Sequence, residues 1–140
     1  MVYLQILFNS ILPILIGSII YIGWRSTNLN IFQWLDHFGL LSQTVIFRAQ
    51  INSLGIQLPK VILYSFPDGL WVYALTSYFI IIWKKINIWT FVGISIAFFS
   101  ELGQLIGFFP GTYSNMDVLF YMFSFILSMQ LNNNTQGRHK

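Results

Sequence analysis

Long apolar runs without charge, separated by short polar clusters, set the plan of this chain. Residues 2–24 carry no charged side chain and end at Arg25. A second run covers residues 69–83, between Asp68 and Lys84-Lys85, and a third covers residues 88–109 if one embedded acid, Glu101, is accepted. A last run starts at Val118 and stays free of charge to Gly137, its apolar part ending near Leu131. About 20 apolar residues cross a hydrocarbon core of ~30 Å. The first and third runs meet that length directly; the second and fourth reach it by borrowing residues 64–67 and 113–116. The pattern predicts an all-α, polytopic membrane protein with four transmembrane helices. Residues 1–131 are expected to form a single transmembrane helical domain, and residues 132–140 a polar C-terminal tail.

The connection over residues 26–60 has its own pattern. Ile31, Trp34, Leu35, Phe38 and Leu41 recur at helical spacing, with Gln33, Asp36, His37 and Ser42 largely off that stripe. This predicts one amphipathic helix in the first outer loop, lying in the interface plane, followed by a loop around Gly55. The first run lacks the basic start, short apolar stretch and small-residue cleavage site of a secretory signal, so it is expected to be a retained span. Pro13 lies in its middle and is expected to kink it.

Composition narrows the picture. Apolar residues make up 56%, aromatics 19% and charged residues 8% of the 140 residues, and a soluble domain carries roughly 25% charge. Disorder is excluded by the same richness in apolar and aromatic side chains. The chain has no cysteine, which removes disulfides, thiolate nucleophiles and Cys-ligated metals. His37 and His139 are far apart, and no HExxH, GxSxG or P-loop pattern occurs, so a soluble-type hydrolase or nucleotide site is not expected. The seven Lys and Arg are scattered and form no nucleic-acid stripe.

Those cations orient the spans. An even number of crossings places both termini on the side of Lys84, Lys85, Arg138 and Lys140, with Arg25, Arg48 and Lys60 opposite. The positive-inside rule then predicts a multi-pass cell-membrane protein with both termini cytoplasmic. On this topology all four acids, Asp36, Asp68, Glu101 and Asp117, fall on the outer half. Glu101 is the deepest, about eight residues or roughly 12 Å before Phe109. A charge there costs on the order of 2.5–3.5 kcal/mol on insertion scales, so Glu101 is expected to face the interior, paired or protonated.

Two polar stripes accompany the acids. Glu101 and Gln104 share a helix face, beside small residues Gly93, Ala97, Ser100, Gly103 and Gly107 that admit a neighbouring helix. Asp117, Tyr121, Ser124 and Ser128 form a matching seam on the fourth helix. Asp68, Glu101, Gln104 and Asp117 are therefore the candidate functional cluster. Each has a structural role beside the functional one: Asp68 and Asp117 stand where carboxylates cap helix N-termini, and Gln104, Ser124 and Ser128 serve equally as interhelical glue.

The motifs Glu101-Leu102-Gly103-Gln104, Pro110-Gly111-Thr112 and Asp117-Val118-Leu119 resemble the VanZ-like family of small bacterial membrane proteins. Pro67-Asp68-Gly69-Leu70-Trp71 is similar to a motif of related small membrane proteins. The likeness covers roughly residues 59–128, about half the chain. It departs from the family in the turn, where residues 112–116 stand in place of an arginine, and at Tyr121 and Ser124, where the family has Asn and Gly. The resemblance implies a multi-helix membrane protein of the cell envelope, in a family associated with resistance to teicoplanin. Trp71 and Gly111 from these motifs, and Tyr121 from the polar seam of the fourth helix, are secondary candidates.

Three functions follow as expectations. One is a non-enzymatic envelope protein whose outward acidic cluster contacts lipid head groups, wall precursors or lipoglycopeptides. The second is an intramembrane enzyme using paired carboxylates on a lipid-linked substrate, for which a divalent metal held by three carboxylates is a variant. The third is a proton-conducting small subunit centred on Glu101. The first is preferred, with catalytic residues unknown and neither a resident metal nor a cofactor expected. Its partners are then membrane lipids and a lipid-linked or lipopeptide ligand, without nucleic acid, and with a homo-oligomer left open.

Overall fold

Helix α1 (Val2–Trp24) fills the first apolar run and is long and apolar enough to cross a membrane, as is α5 (Ile88–Leu105). Between them lie α2 (Asn30–His37), α3 (Leu41–Ser53) and α4 (Lys60–Trp83), and α6 (Asn115–Gly137) follows α5. The computed structural model describes residues 2–109 and 111–137, and among these no strand occurs. Pro110, His139 and the cations Arg138 and Lys140 used in the orientation reading lie outside the described residues. The all-α expectation holds. Helices α4 and α6 match α1 in length, with 24 and 23 residues, yet among the described residues only α1 and the 18-residue α5 combine adequate length with sufficient hydropathy.

The reason lies in packing. Helix α4 is the hub, packing against α1, α5 and α6, whereas α1 touches neither α5 nor α6 among the described residues. A helix enclosed on three sides does not need an apolar exterior. It needs small side chains so that neighbours can approach, and its buried positions include Ser65, Gly69, Ala74, Thr76 and Ser77. Val72, Ile94, Tyr121 and Phe125, from α4, α5 and α6, form an apolar cluster of this core.

Several boundaries differ from the sequence reading, each for a local reason. Helix α4 begins at Lys60, well before the charge-free run, and carries Pro67 inside it, fully buried. An interior proline is tolerated where neighbouring helices pack around it, and Pro67 does not end the helix. Helix α5 stops at Leu105 rather than 109. Gly107 has φ +72°, and its N–H and that of Phe108 bond back to the carbonyls of Gln104 and Gly103. That is a Schellman termination, which a left-handed glycine makes inexpensive. In α1 the effect of Pro13 appears one turn earlier. Residues Leu7–Ile11 form a π turn, with the Leu12 N–H on the Leu7 carbonyl, and this accommodates the donor that Pro13 lacks.

The long connection contains two helices, not one. The sequence reading placed no helix over Leu41–Ser53, where Gln43, Thr44, Arg48 and Gln50 scatter around the axis and leave no clean stripe. What holds α3 is Arg48, whose Nη1 donates to the carbonyls of Ile22 (2.6 Å) and Arg25 (3.0 Å). These are the orphan acceptors at the end of α1, and a cation there also complements the helix dipole. The guanidinium lies 5.3 Å from the ring centre of Phe32, the one buried residue of α2. The predicted stripe of α2 is split: Ile31, Leu35 and Leu41 are half-buried, whereas Trp34 and Phe38 are 65% and 73% exposed.

Candidate functional site

Helices α4, α5 and α6 leave a cleft of about 860 Å³ at the end where α5 finishes and α6 starts, opposite the Lys84-Lys85 turn. All seven positions singled out from the sequence line it: Asp68, Glu101, Gln104 and Asp117, together with Trp71, Gly111 and Tyr121. Arg25 and Lys60 line it too. The fourth acid, Asp36, is exposed on α2 and takes no part. Helix direction gathers these groups, because one helix ends and another begins beside the third turn of α4.

Asp68 and Asp117 are not helix caps. Asp68 stands inside α4, in the third turn from Lys60 and beyond the first turn where a cap would act. At the start of α6 the cap is Ser114, whose Oγ accepts from the Asp117 N–H at 3.4 Å. Ser114 thus takes over the capping role and frees the Asp117 side chain. Asp117 Oδ1 is buried and has no hydrogen-bond partner. Leaving such an acceptor unsatisfied costs ~1–3 kcal/mol, a cost that evolution seldom retains without use.

Glu101 behaves differently. It is 3% exposed, accepting the Ser114 N–H on Oε2 at 3.1 Å and the Tyr121 hydroxyl on Oε1 at 3.3 Å. The acid expected to be most functional is therefore the one most firmly held, tying α5 to the first turns of α6. Tyr121 stands within electrostatic reach of Asp68, Glu101 and Asp117, and Asp68 within reach of Arg25. Gln104 packs its amide over Gly111, where φ is +138° and a Cβ would fall 2.7 Å from the amide carbon. The glycine expected from the turn motif is required both by its backbone and by that contact.

The cation side is built from aromatics. The Arg25 guanidinium lies 4.8 Å from the Tyr21 ring centre and 4.7 Å from that of Tyr64, with Tyr21 stacked on Trp71 at 5.8 Å. This row of rings fixes the charge at the mouth of the cleft, since a guanidinium is attracted to ring faces. Tyr64 was missed in the sequence reading; the spacing of Tyr21 and Arg25, one turn apart on α1, was the available signal for half of this arrangement.

The predicted pairing of polar stripes is only half realised. Tyr121 meets Glu101 on α5, but the lower seam of α6 faces α4. Ser128 shares a hydrogen bond with Ser77 at 2.8 Å, and Asn132 Nδ2 donates to Ser77 Oγ at 3.0 Å and to the Ser128 carbonyl at 2.8 Å. Asn132, assigned to the polar tail, lies inside α6 and is buried. Its position one turn beyond Ser128 continues the seam, a signal that the end of the apolar run obscured. The small residues of α5 likewise divide: Gly93 lies against Leu75 of α4, while Gly93, Ala97 and Ser100 also form a wall of the cleft.

Chemically, the cleft offers carboxylates for a cation and a fixed guanidinium with a lysine for an anion. Among the described residues no group of three or more His, Cys, Asp or Glu is arranged to hold a metal ion, so the three-carboxylate metal variant has no site among them. Compared with protein-family models, curated proteins and solved structures, the chain matches none.

Proposed function

We propose that this is a VanZ-like, four-span integral membrane protein of the bacterial cell envelope that binds an amphoteric ligand in its charged cleft without catalysing a reaction. The single observation behind the reading is that one cleft is lined by three carboxylates together with Arg25 and Lys60. Both signs at close quarters suit a ligand that carries both, such as a lipid head group, a wall precursor or a lipoglycopeptide. Helices α4 and α6 are taken as the second and fourth spans because their lengths, at 1.5 Å per residue about 35 Å each, equal that of α1. Ser77 of α4 and Ser128 and Asn132 of α6 face one another rather than lipid. The basic turn at Lys84-Lys85 supports a cytoplasmic location for that end and an outward cleft, with α2 and α3 in the outer interface. The exposed Trp34 and Phe38 support that placement.

A binding screen of the purified protein against envelope lipids and lipoglycopeptides tests this. Retention of a zwitterionic or mixed-charge ligand, lost in the double variant Asp68→Asn/Asp117→Asn, is the expected result. Equal retention by the double variant, or no ligand at all, overturns it.

A further inference from the structure

The cleft is longer than a head group requires. Along α4 its lining runs from Lys60 to Leu75, about 22 Å at 1.5 Å per residue, and along α5 from Gln104 back to Gly93. Its character changes along that length. Arg25, Lys60 and the three acids occupy one end; from Val72 onward the walls are Val72, Leu75, Gly93, Ile96 and Ala97. On this stretch α5 presents a glycine and an alanine, where larger side chains would narrow the groove. Gly93 lies so near Leu75 that a Cβ on it would stand 3.3 Å from that side chain. On the rim Ile96 is 62% exposed, so the apolar part opens sideways. A water-soluble zwitterion could satisfy the charged end but would leave this apolar extension without an occupant.

We infer that the cleft holds a single phospholipid with an amine in its head group. The phosphate pairs with Arg25 and Lys60, the ammonium pairs with the carboxylates of Asp68 and Asp117, and one hydrocarbon chain lies against Gly93 and Ala97. This deepens the proposed function and rests on it: of the amphoteric ligands the charged end admits, only one with a hydrocarbon chain also covers the apolar wall. Burying a chain adds roughly 0.8 kcal/mol per methylene removed from water, so the groove contributes strongly to affinity while the charges select the head group. Glu101 acts here as a positioning residue, since both its oxygens are engaged within the protein.

The full-length protein in detergent is titrated with three probes: dioleoyl phosphatidylethanolamine, dioleoyl phosphatidylglycerol, and glycerophosphoethanolamine, which has the same head group and no chain. Phosphatidylethanolamine is expected to bind about tenfold or more tighter than either of the others, tenfold corresponding to 1.4 kcal/mol. Ala97→Phe, which fills the groove, is expected to reduce that affinity about tenfold and leave the chainless probe unchanged. Ile96→Trp narrows the exposed rim without touching the core, and is expected to act in the same direction should Ala97→Phe fail to fold. Equal binding of the chainless probe and the phospholipid, or undiminished phospholipid binding in the folded groove variant, overturns the lipid inference while leaving the amphoteric site in place. Phosphatidylglycerol binding as tightly as phosphatidylethanolamine removes the amphoteric reading, and this inference with it.

Discussion

At one end of the contact between α4 and α6, the Ser77 and Ser128 hydroxyls meet at 2.8 Å and the Asn132 amide completes the cluster. At the other end of the same helix pair, Asp68 and Asp117 border open space, and one buried carboxylate oxygen has no partner. The first region uses neutral groups, each small and each both donating and accepting, so every bond that forms also satisfies its neighbour. The second uses acids, which only accept when ionised and therefore depend on donors from elsewhere. Neutral saturated clusters hold helices together; charged unsaturated ones keep binding capacity in reserve. On the proposed reading the same pair of helices performs both tasks, about three turns apart on α6.

The comparison is broken most severely at Gly69, which sits between the two regions. A Cβ there would lie 2.9 Å from Ser124 Oγ and 3.3 Å from Phe120 Cβ. Gly69→Leu is expected to push α4 and α6 apart, at a cost of about 3 kcal/mol by thermal unfolding in detergent, with ligand retention lost as well. Survival of either region alone would mean that the two are mechanically independent. Next comes Ser77→Ala, which withdraws a partner from Ser128 and Asn132 in a fully buried setting. It is expected to lower stability by about 2 kcal/mol and leave the affinity of a cleft ligand unchanged. A change in affinity would show that the neutral cluster tunes the cleft.

Glu101→Gln sharpens the boundary between the two kinds of region. Although Glu101 lies in the cleft, its bonds to Ser114 and Tyr121 are those of a structural tie. An amide can accept one of those two donors but presents its own N–H₂ to the other. A loss of about 1 kcal/mol by thermal unfolding is expected, with the Tyr121 ring environment, followed by near-ultraviolet circular dichroism, altered. Unchanged stability together with lost ligand binding would instead move Glu101 among the ligand-contacting residues.

Much of this was legible in advance, and the rest failed for identifiable reasons. The sparse charges located the cleft because helix direction alone brings Asp68, Glu101 and Asp117 to one end, whatever the exact packing angles. Composition could not tell which acid is satisfied, because Ser114 decides it: the same residue caps α6 through its hydroxyl and holds Glu101 through its N–H. The start of α4 was hidden by taking Asp68 as the edge of the second run and a candidate N-cap, although a helix enclosed by its neighbours can carry an acid, and even a proline, in its interior. Helix α3 was hidden because its anchor is a single arginine reaching another helix's carbonyls, which leaves no periodic trace. Asn132 was hidden by its polar neighbours.

The smallest expected effect on stability is the one that tests the comparison most directly. In Asp117→Asn the side chain keeps its shape, Ser114 still caps the helix, and the buried oxygen without a donor becomes a weaker acceptor. Two forces then oppose each other. A negative charge near the first turn of α6 is favoured by the helix dipole by ~0.3–1 kcal/mol, while holding an unsatisfied carboxylate oxygen out of water costs about as much or more. Near cancellation is expected, with a net change within about 0.5 kcal/mol. Binding has no such cancellation, because the ammonium of a ligand loses a charged partner, and affinity should fall about tenfold. Functional positions commonly show this separation of stability from binding. A variant that melts far lower than the parent would place Asp117 with the Ser77 cluster as structural glue, and the division between a closed and a poised end of the α4–α6 contact would fail.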